Sequence, residues 1–381
     1  MTDGIKRAID YIKSNDSYIK KAADSQCAVW RGEKTDLPVL ALSCQHTEEQ
    51  QAWLPGHSIK EIHFDSEKMF VNGLRDVLSV INGNYGAVPS MRANMGCGII
   101  PSLFGKQQRL FDDKMPWLVD HVKKEDIQDR YDFNLDDSKE FAAAMEHMDY
   151  MTEKLRENDL SGKVFVFPLD LQGSIDTAHL IYGDAIFYDF YDDPEFVRHL
   201  LEMSCEAVYF AMNECFKRTD KSGEFVTHYN HLILPRSLGG IKISEDTTTL
   251  LSPALIDEFA QPYLRKMLEY FNGGYVHYCG KNPHLLDVVL DEPLARGLNF
   301  GNPDMHDMPK VIERCRGTKK VYTGAINKSD GESLFDFFRR ILEPAYDRDT
   351  GCFYIIPQYC CALNERENVI GEFERAADAV T

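Results

Sequence analysis

The rhythm of the last third constrains this chain more than any other feature. Short apolar runs at 275–279, 298–300, 321–326 and 352–356 are each followed by a segment with helical spacing, at 283–290, 308–315, 332–342 and 365–379. Runs of this length, rich in β-branched and aromatic residues, read as buried strands, and the longer segments as amphipathic helices. Four strand-then-helix units within about 105 residues imply parallel strands with helical crossovers, because two parallel strands cannot be joined by a tight turn. Further strands are expected at 61–64, 88–92, 163–167 and 240–243, making about eight, the number of a closed (β/α)8 barrel. Helices should open at Asp193-Pro194-Glu195 and Ser252-Pro253-Ala254, where a capping side chain precedes Pro in the first turn. The expected architecture is α/β: a helical N-terminal extension over 1–55, broken by the apolar segment 37–42, then a TIM barrel over 56–381. A doubly wound open sheet is the rival. It usually carries a Gly-rich phosphate loop after its first strand, and Gly96-Cys97-Gly98-Ile99-Ile100-Pro101 matches that loop poorly.

Charge narrows the partners. The 381 residues carry 42 Lys+Arg and 61 Asp+Glu, a formal charge of −19. Basic residues come in short pairs such as Lys123-Lys124, so neither a nucleic-acid backbone nor an anionic membrane surface is an expected partner. No apolar run approaches the ~20 residues that span a bilayer, and the first residues do not read as a signal peptide. Ten cysteines at irregular spacing are too few for a disulfide scaffold, which points to a reducing, cytoplasmic compartment with thiols free or metal-bound.

The chemistry concentrates at Val276-His277-Tyr278-Cys279-Gly280. Strand alternation puts His277 and Cys279 on one face, at the C-terminal end of their strand, where barrel enzymes place working residues. Imidazole beside thiol suits zinc, which takes nitrogen and sulfur ligands. An isolated His-x-Cys is more often a buried cysteine beside a satisfied core histidine. A second group, Gln358-Tyr359-Cys360-Cys361, follows the last expected strand and stands at the same end of the barrel. Adjacent cysteines cannot readily share a face, so one of the two would ligate. A His-Cys-Cys set leaves a fourth position open, as in catalytic zinc sites.

With these residues the sequence resembles the uroporphyrinogen decarboxylase superfamily, and within it the methylcobamide:thiol methyltransferases of the coenzyme M type. Their zinc motif, His-x-Cys with a late Cys, is matched by His277, Cys279 and a cysteine after the last strand. By its offset to Glu367-Asn368, Cys360 matches the late ligand and Cys361 takes the place of a glycine. Ile243-Ser244-Glu245-Asp246, Gln261-Pro262-Tyr263 and Val88-Pro89-Ser90-Met91-Arg92 extend the likeness over roughly 60–378. The resemblance implies zinc on His277, Cys279 and Cys360. It also implies methyl transfer between a methylcobalamin-type corrinoid, carried on a separate small corrinoid protein, and a thiol or similar acceptor. Glu245, Asp246 and Asp170 are expected to line the pocket. Where the family places an acidic ligand after the following strand, this chain reads Leu298-Asn299-Phe300-Gly301-Asn302-Pro303, with no acid until Asp304. Two alternatives stand beside this reading: a tetrapyrrole decarboxylase, and a methyl-donor:corrinoid demethylase component on the same barrel. The −19 charge and the lack of an N-terminal Arg-Gln-Ala-Gly-Arg-like segment count against a polycarboxylate substrate. His228, His231 and His306 are expected to be surface or loop residues, and Cys205 and Cys215 to be buried small hydrophobes.

Overall fold

The computed structural model describes residues 2–35, 37–111, 114–127, 129–219 and 224–381, with the side chains of Pro357 and Gln358 left aside. Two amphipathic helices, Asp3–Ser14 and Ile19–Trp30, lead the chain. Thr2 caps the first by accepting from the Ile5 N–H, and Ile5, Ala8, Ile9 and Ile12 form its buried stripe.

The next element is strand β1 (Val39–Cys44), buried along its whole length. It lies on the N-terminal side of the boundary expected at residue 55, inside the segment expected to be a helical extension. Six residues apolar on both faces, Val-Leu-Ala-Leu-Ser-Cys, suit a parallel strand covered on both sides. The expected strand at 61–64 is instead the end of a helix, Ile59–Phe64. Its N-terminus is a capping box: Ser58 accepts from the Glu61 N–H while the Glu61 carboxylate accepts from the Ser58 N–H.

Strands β2 (Ser90–Met91) and β3 (Phe165–Val166) pair in parallel. An antiparallel hairpin follows, β4 (Phe225–His228) with β5 (Leu232–Pro235). Strands β6 (Lys242–Ser244), β7 (Gly274–Tyr278), β8 (Ala295–Phe300) and β9 (Val321–Tyr322) form a four-stranded parallel sheet in that order. A small antiparallel pair, β10 (Tyr346–Asp347) and β11 (Gly351–Cys352), precedes β12 (Ile355–Cys361). Strand β12 runs parallel to β1 across the whole length of the chain. Single parallel bridges, Gln172 to Ser244 and Tyr322 to Tyr354, link the neighbouring pieces. The architecture is therefore mixed α/β with parallel strands and helical crossovers. The described ladders stay in separate pieces, and none joins β1 to β2.

The expected caps hold. Asp193 accepts from the Phe196 N–H at the start of Pro194–Arg218, a 25-residue helix in which Cys205 and Cys215 are fully buried. Ser252 opens a helical run that passes through a π-turn, Ile256–Ala260, into Gln261–Phe271. Among the described residues no helix is long and apolar enough to cross a membrane.

The N-terminal ends of the strands are sealed. Val39, Ala41, Tyr275, Val321 and Ile355 pack with Trp30, Leu232 and Leu234 in one buried cluster. Gly297 leaves room for the indole: a Cβ there would stand 2.8 Å from Trp30 Cζ3 and 2.2 Å from the Val321 carbonyl oxygen. The hairpin is fastened at this end by Val88 N–H to the His231 carbonyl (3.0 Å) and by His228 Nε2 to the Gly240 carbonyl oxygen (3.1 Å). His231 Nδ1 lies 3.1 Å from Ser90 Oγ. Both histidines are only 5% exposed, so neither is at the surface; His228 ends β4, and His231 does lie in the connection between β4 and β5.

Candidate metal centre

Alternation along β7 fixes which side chains face inward. Val276 and Tyr278 are fully buried in the main core, whereas Tyr275 belongs to the cluster that seals the strand ends. His277, two residues after Tyr275, shares its face, and Cys279 follows just past the end of the strand. Cys279 Sγ lies 3.7 Å from His277 Nε2. Asp246, two residues beyond β6, brings Oδ1 to 3.7 Å from the same nitrogen and accepts a 2.5 Å hydrogen bond from the Cys279 N–H. One ligand atom from each of Asp246, His277 and Cys279 lies within 4.8 Å of the others. The sequence pairing of His277 with Cys279 is thus met, and Asp246 joins them.

His277 is oriented from behind. In the parallel register it stands between Ser244 on β6 and Asn299 on β8, and its Nδ1 contacts Asn299 Oδ1. A carbonyl oxygen only accepts, so the ring proton sits on Nδ1 and the Nε2 lone pair is left toward Cys279 and Asp246. Burial, followed by the nearby Lys242 ammonium, holds His277 below its ordinary pKa and therefore neutral. Burial, then the Asp246 carboxylate, pushes the Cys279 thiol up to about 11. A divalent cation would reverse that shift, because a coordinated thiol is deprotonated. One imidazole, one thiol and one carboxylate, half-buried and pointing at one another, make a donor set that fits zinc.

A cavity of about 500 Å³ opens beside these groups, lined by Asp170, Gln172, Lys242, Asp246, Thr247 and His277 among others. Asp170 reaches it as expected, but it is already engaged. Lys242 Nζ donates to Oδ1 at 2.9 Å, and an Arg92 nitrogen lies 3.6 Å from Oδ2. Burial alone would raise its pKa, yet the two cations hold the carboxyl well below the carboxylate range. It is a charge partner, not a free base.

Glu245 departs from expectation. One residue out of phase with Ser244 and Asp246, it turns away from the cavity into the protein, 1% exposed, where the Thr248 hydroxyl donates to Oε2. A Cβ on Gly173 would lie 2.2 Å from Glu245 Oε1. Burial pushes this carboxyl upward, so it is kept neutral behind the site.

The late cysteines separate cleanly. In the β1–β12 register Cys360 lies opposite Ser43 and Cys361 opposite Cys44. Because Val39 and Ala41 face the sealed interior, Ser43 and Cys360 share that inner face, while Cys44 and Cys361 turn outward with their sulfurs 3.5 Å apart. Cys360 is exposed and Cys361 buried. Of the two, Cys360 faces the correct side, but it is not in the cluster with His277 and Cys279. The third residue that the structure brings to His277 and Cys279 is Asp246.

Two supporting residues escaped the sequence reading. Asn299 lies in the very stretch searched for an acidic ligand, and only the register with β7 reveals its partner. Asp176, 3% exposed on the helix Ser174–Tyr182, accepts from the N–H groups of Asp246 (2.7 Å) and Thr247 (2.5 Å). No sequence signal marks it beyond a carboxylate in a first helical turn.

No known family profile and no curated protein matches the chain by sequence. In fold it is similar to a methyltransferase from Methanosarcina mazei, with a TM-score of 0.63 and 15% identity, over 93% of this chain and 98% of that one. At that identity the likeness is one of fold.

Proposed function

We propose that the chain is a zinc-dependent methyltransferase that moves a methyl group between a methylcobamide, carried on a separate small corrinoid protein, and a thiol. The observation that carries this reading is the convergence of Asp246, His277 and Cys279 within 4.8 Å beside a cavity of about 500 Å³. The eight parallel strand segments are read as a (β/α)8 barrel of the uroporphyrinogen decarboxylase kind, with the site at the C-terminal mouth. A likeness in fold to a protein described as a methyltransferase is in keeping with it.

His277, Cys279 and Asp246 would hold the metal, and Cys360, exposed on the same inner face, is the further thiol available to it. When bound, zinc supplies a position at which a substrate thiol is held as a nucleophilic thiolate near neutral pH. Asn299 keeps His277 in the tautomer that leaves Nε2 free. The Cys279 N–H fixes the Asp246 carboxylate, and burial, with the Lys242 ammonium as second cause, keeps His277 unprotonated. The cavity walls orient the thiol and exclude water. In the transfer, the sulfur of the thiol forms the new S–C bond as the Co–C bond breaks. Cobalt keeps the bonding pair, and the thiol proton leaves to solvent.

The test is metal analysis of protein purified without added zinc, followed by incubation with methylcobalamin and a panel of thiols. About one zinc per chain and a thiol-dependent colour change support the proposal. Protein that takes no metal under any condition sinks it and favours the tetrapyrrole decarboxylase. Zinc-replete protein inert toward every thiol favours the demethylase component.

A further inference from the structure

We infer that Asp176 is a positioning residue for the metal centre: it holds the Asp246–Thr247 turn so that the Asp246 carboxylate is presented to Cys279 and His277. The inference rests on the metal reading above and assigns a role to a side chain that touches none of the three donor atoms.

The geometry is a relay of hydrogen bonds. The helix carrying Asp176 is tied to the end of β6 by the Gly173 N–H, which donates to the Ser244 carbonyl at 2.6 Å. From that anchored helix both carboxylate oxygens of Asp176 are used, Oδ2 by the Asp246 N–H and Oδ1 by the Thr247 N–H. Asp246 in turn accepts from the Cys279 N–H. His179, one turn further along the same helix, adds a second tether through Nδ1 to Thr247 Oγ1 at 3.1 Å.

The two backbone donors meet different oxygens of Asp176. An amide has only one, and its NH2 would face the other N–H. Burial sharpens the requirement, since a donor left unpaired at a nearly inaccessible position has no water to turn to. A buried acid that served only to stabilise the fold would affect stability without acting selectively through Asp246. That difference makes the inference testable.

The experiment uses cobalt(II) as the metal probe and amide exchange on the metal-free protein. In Asp176→Asn the cobalt dissociation constant should rise by about 10- to 100-fold, the usual cost of losing a residue that orients a ligand. In an Asp246→Asn background the same change should produce little further loss. Without metal, the Cys279 amide, two bonds along the relay, should exchange at least about tenfold faster in Asp176→Asn. The Glu245 amide, held by the His277 carbonyl at 2.8 Å, should keep its protection. An unchanged Cys279 amide, or an equal loss of cobalt affinity with and without Asp246, overturns the inference. If wild-type protein takes no cobalt, the metal reading falls and the amide comparison alone decides the positioning role. Should Asp176→Asn fail to fold, Asp176→Glu keeps both acceptors but shifts them by one methylene. It is read by the same two measurements, with an intermediate effect expected.

Discussion

Buried His228 and His231, on the hairpin, and half-buried His277, on β7, sit at opposite ends of the parallel strands. His228 and His231 lie at the sealed end, bonded to a backbone carbonyl and a serine hydroxyl. His277 lies at the open end, with one nitrogen bonded to Asn299 and the other toward Cys279 and Asp246. Burial lowers the pKa of all three, so a perturbed imidazole does not by itself mark a site. The difference lies in the partners: a backbone carbonyl or a serine hydroxyl at one end, a thiol and a carboxylate at the other.

The sharpest way to break this comparison is Cys279→Ser. Metal content should fall from about one per chain to near zero, a loss of at least about 1,000-fold in affinity (about 4 kcal/mol), measured by elemental analysis. His228→Gln should leave the metal content unchanged. Next is Asn299→Leu, which removes the partner of Nδ1 and should weaken metal binding by about 10- to 100-fold, read by competition with a chromogenic chelator.

The sealed end should show itself in stability against pH instead. Burial, with Lys242 as a second cause, pushes His228 down to about 3, and burial pushes His231 down to about 4. Their ordinary value is about 6.5, so at pH 7 both states of the chain are neutral there and neither histidine costs anything. Between about pH 6.5 and 4 the unfolded chain binds protons that the folded one refuses, and stability falls as pH drops. At pH 5 each should contribute a loss of about 2 kcal/mol, seen as a lower urea midpoint. His228→Gln should shrink the difference between pH 7 and pH 5; an unchanged difference would show that this end is wetter than described. The smallest expected effect is Cys361→Ala, about 1 kcal/mol of stability with full metal content, because that thiol meets Cys44 on the outward face.

The sequence made His277 and Cys279 legible because strand alternation is local: two residues apart on a five-residue strand settles the face. The caps at Asp193 and Ser252 were legible for the same reason. The misreadings have physical causes too. In 61–64 the apolar residues alternate well enough for a strand, yet Ser58 and Glu61 carry the capping-box spacing that marks a helix start. The run Val39–Cys44 is short and sits between polar helices, and its partner lies more than three hundred residues away. The hairpin from Phe225 to Pro235 left its histidines looking like loop residues. The third member of the metal cluster depended on how far Asp246 and Cys360 each reach across the interior, which no spacing rule contains. Asn299 and Asp176 needed the register between strands and the placement of one helix against a turn.

The pairing of β1 with β12 has a consequence for how this molecule comes into being. Residues 39–44 leave the ribosome more than three hundred residues before their partner strand. Until that strand is made, β1 is an apolar edge with unmet backbone donors and acceptors, the kind of edge that recruits other chains. Closing a contact as distant as Cys44 to Cys361, 317 residues apart, also carries a large loop-closure entropy. The two strands therefore pair late, and until they do the helix Ser66–Gly83, which packs against β1, is the nearest cover for its apolar side chains.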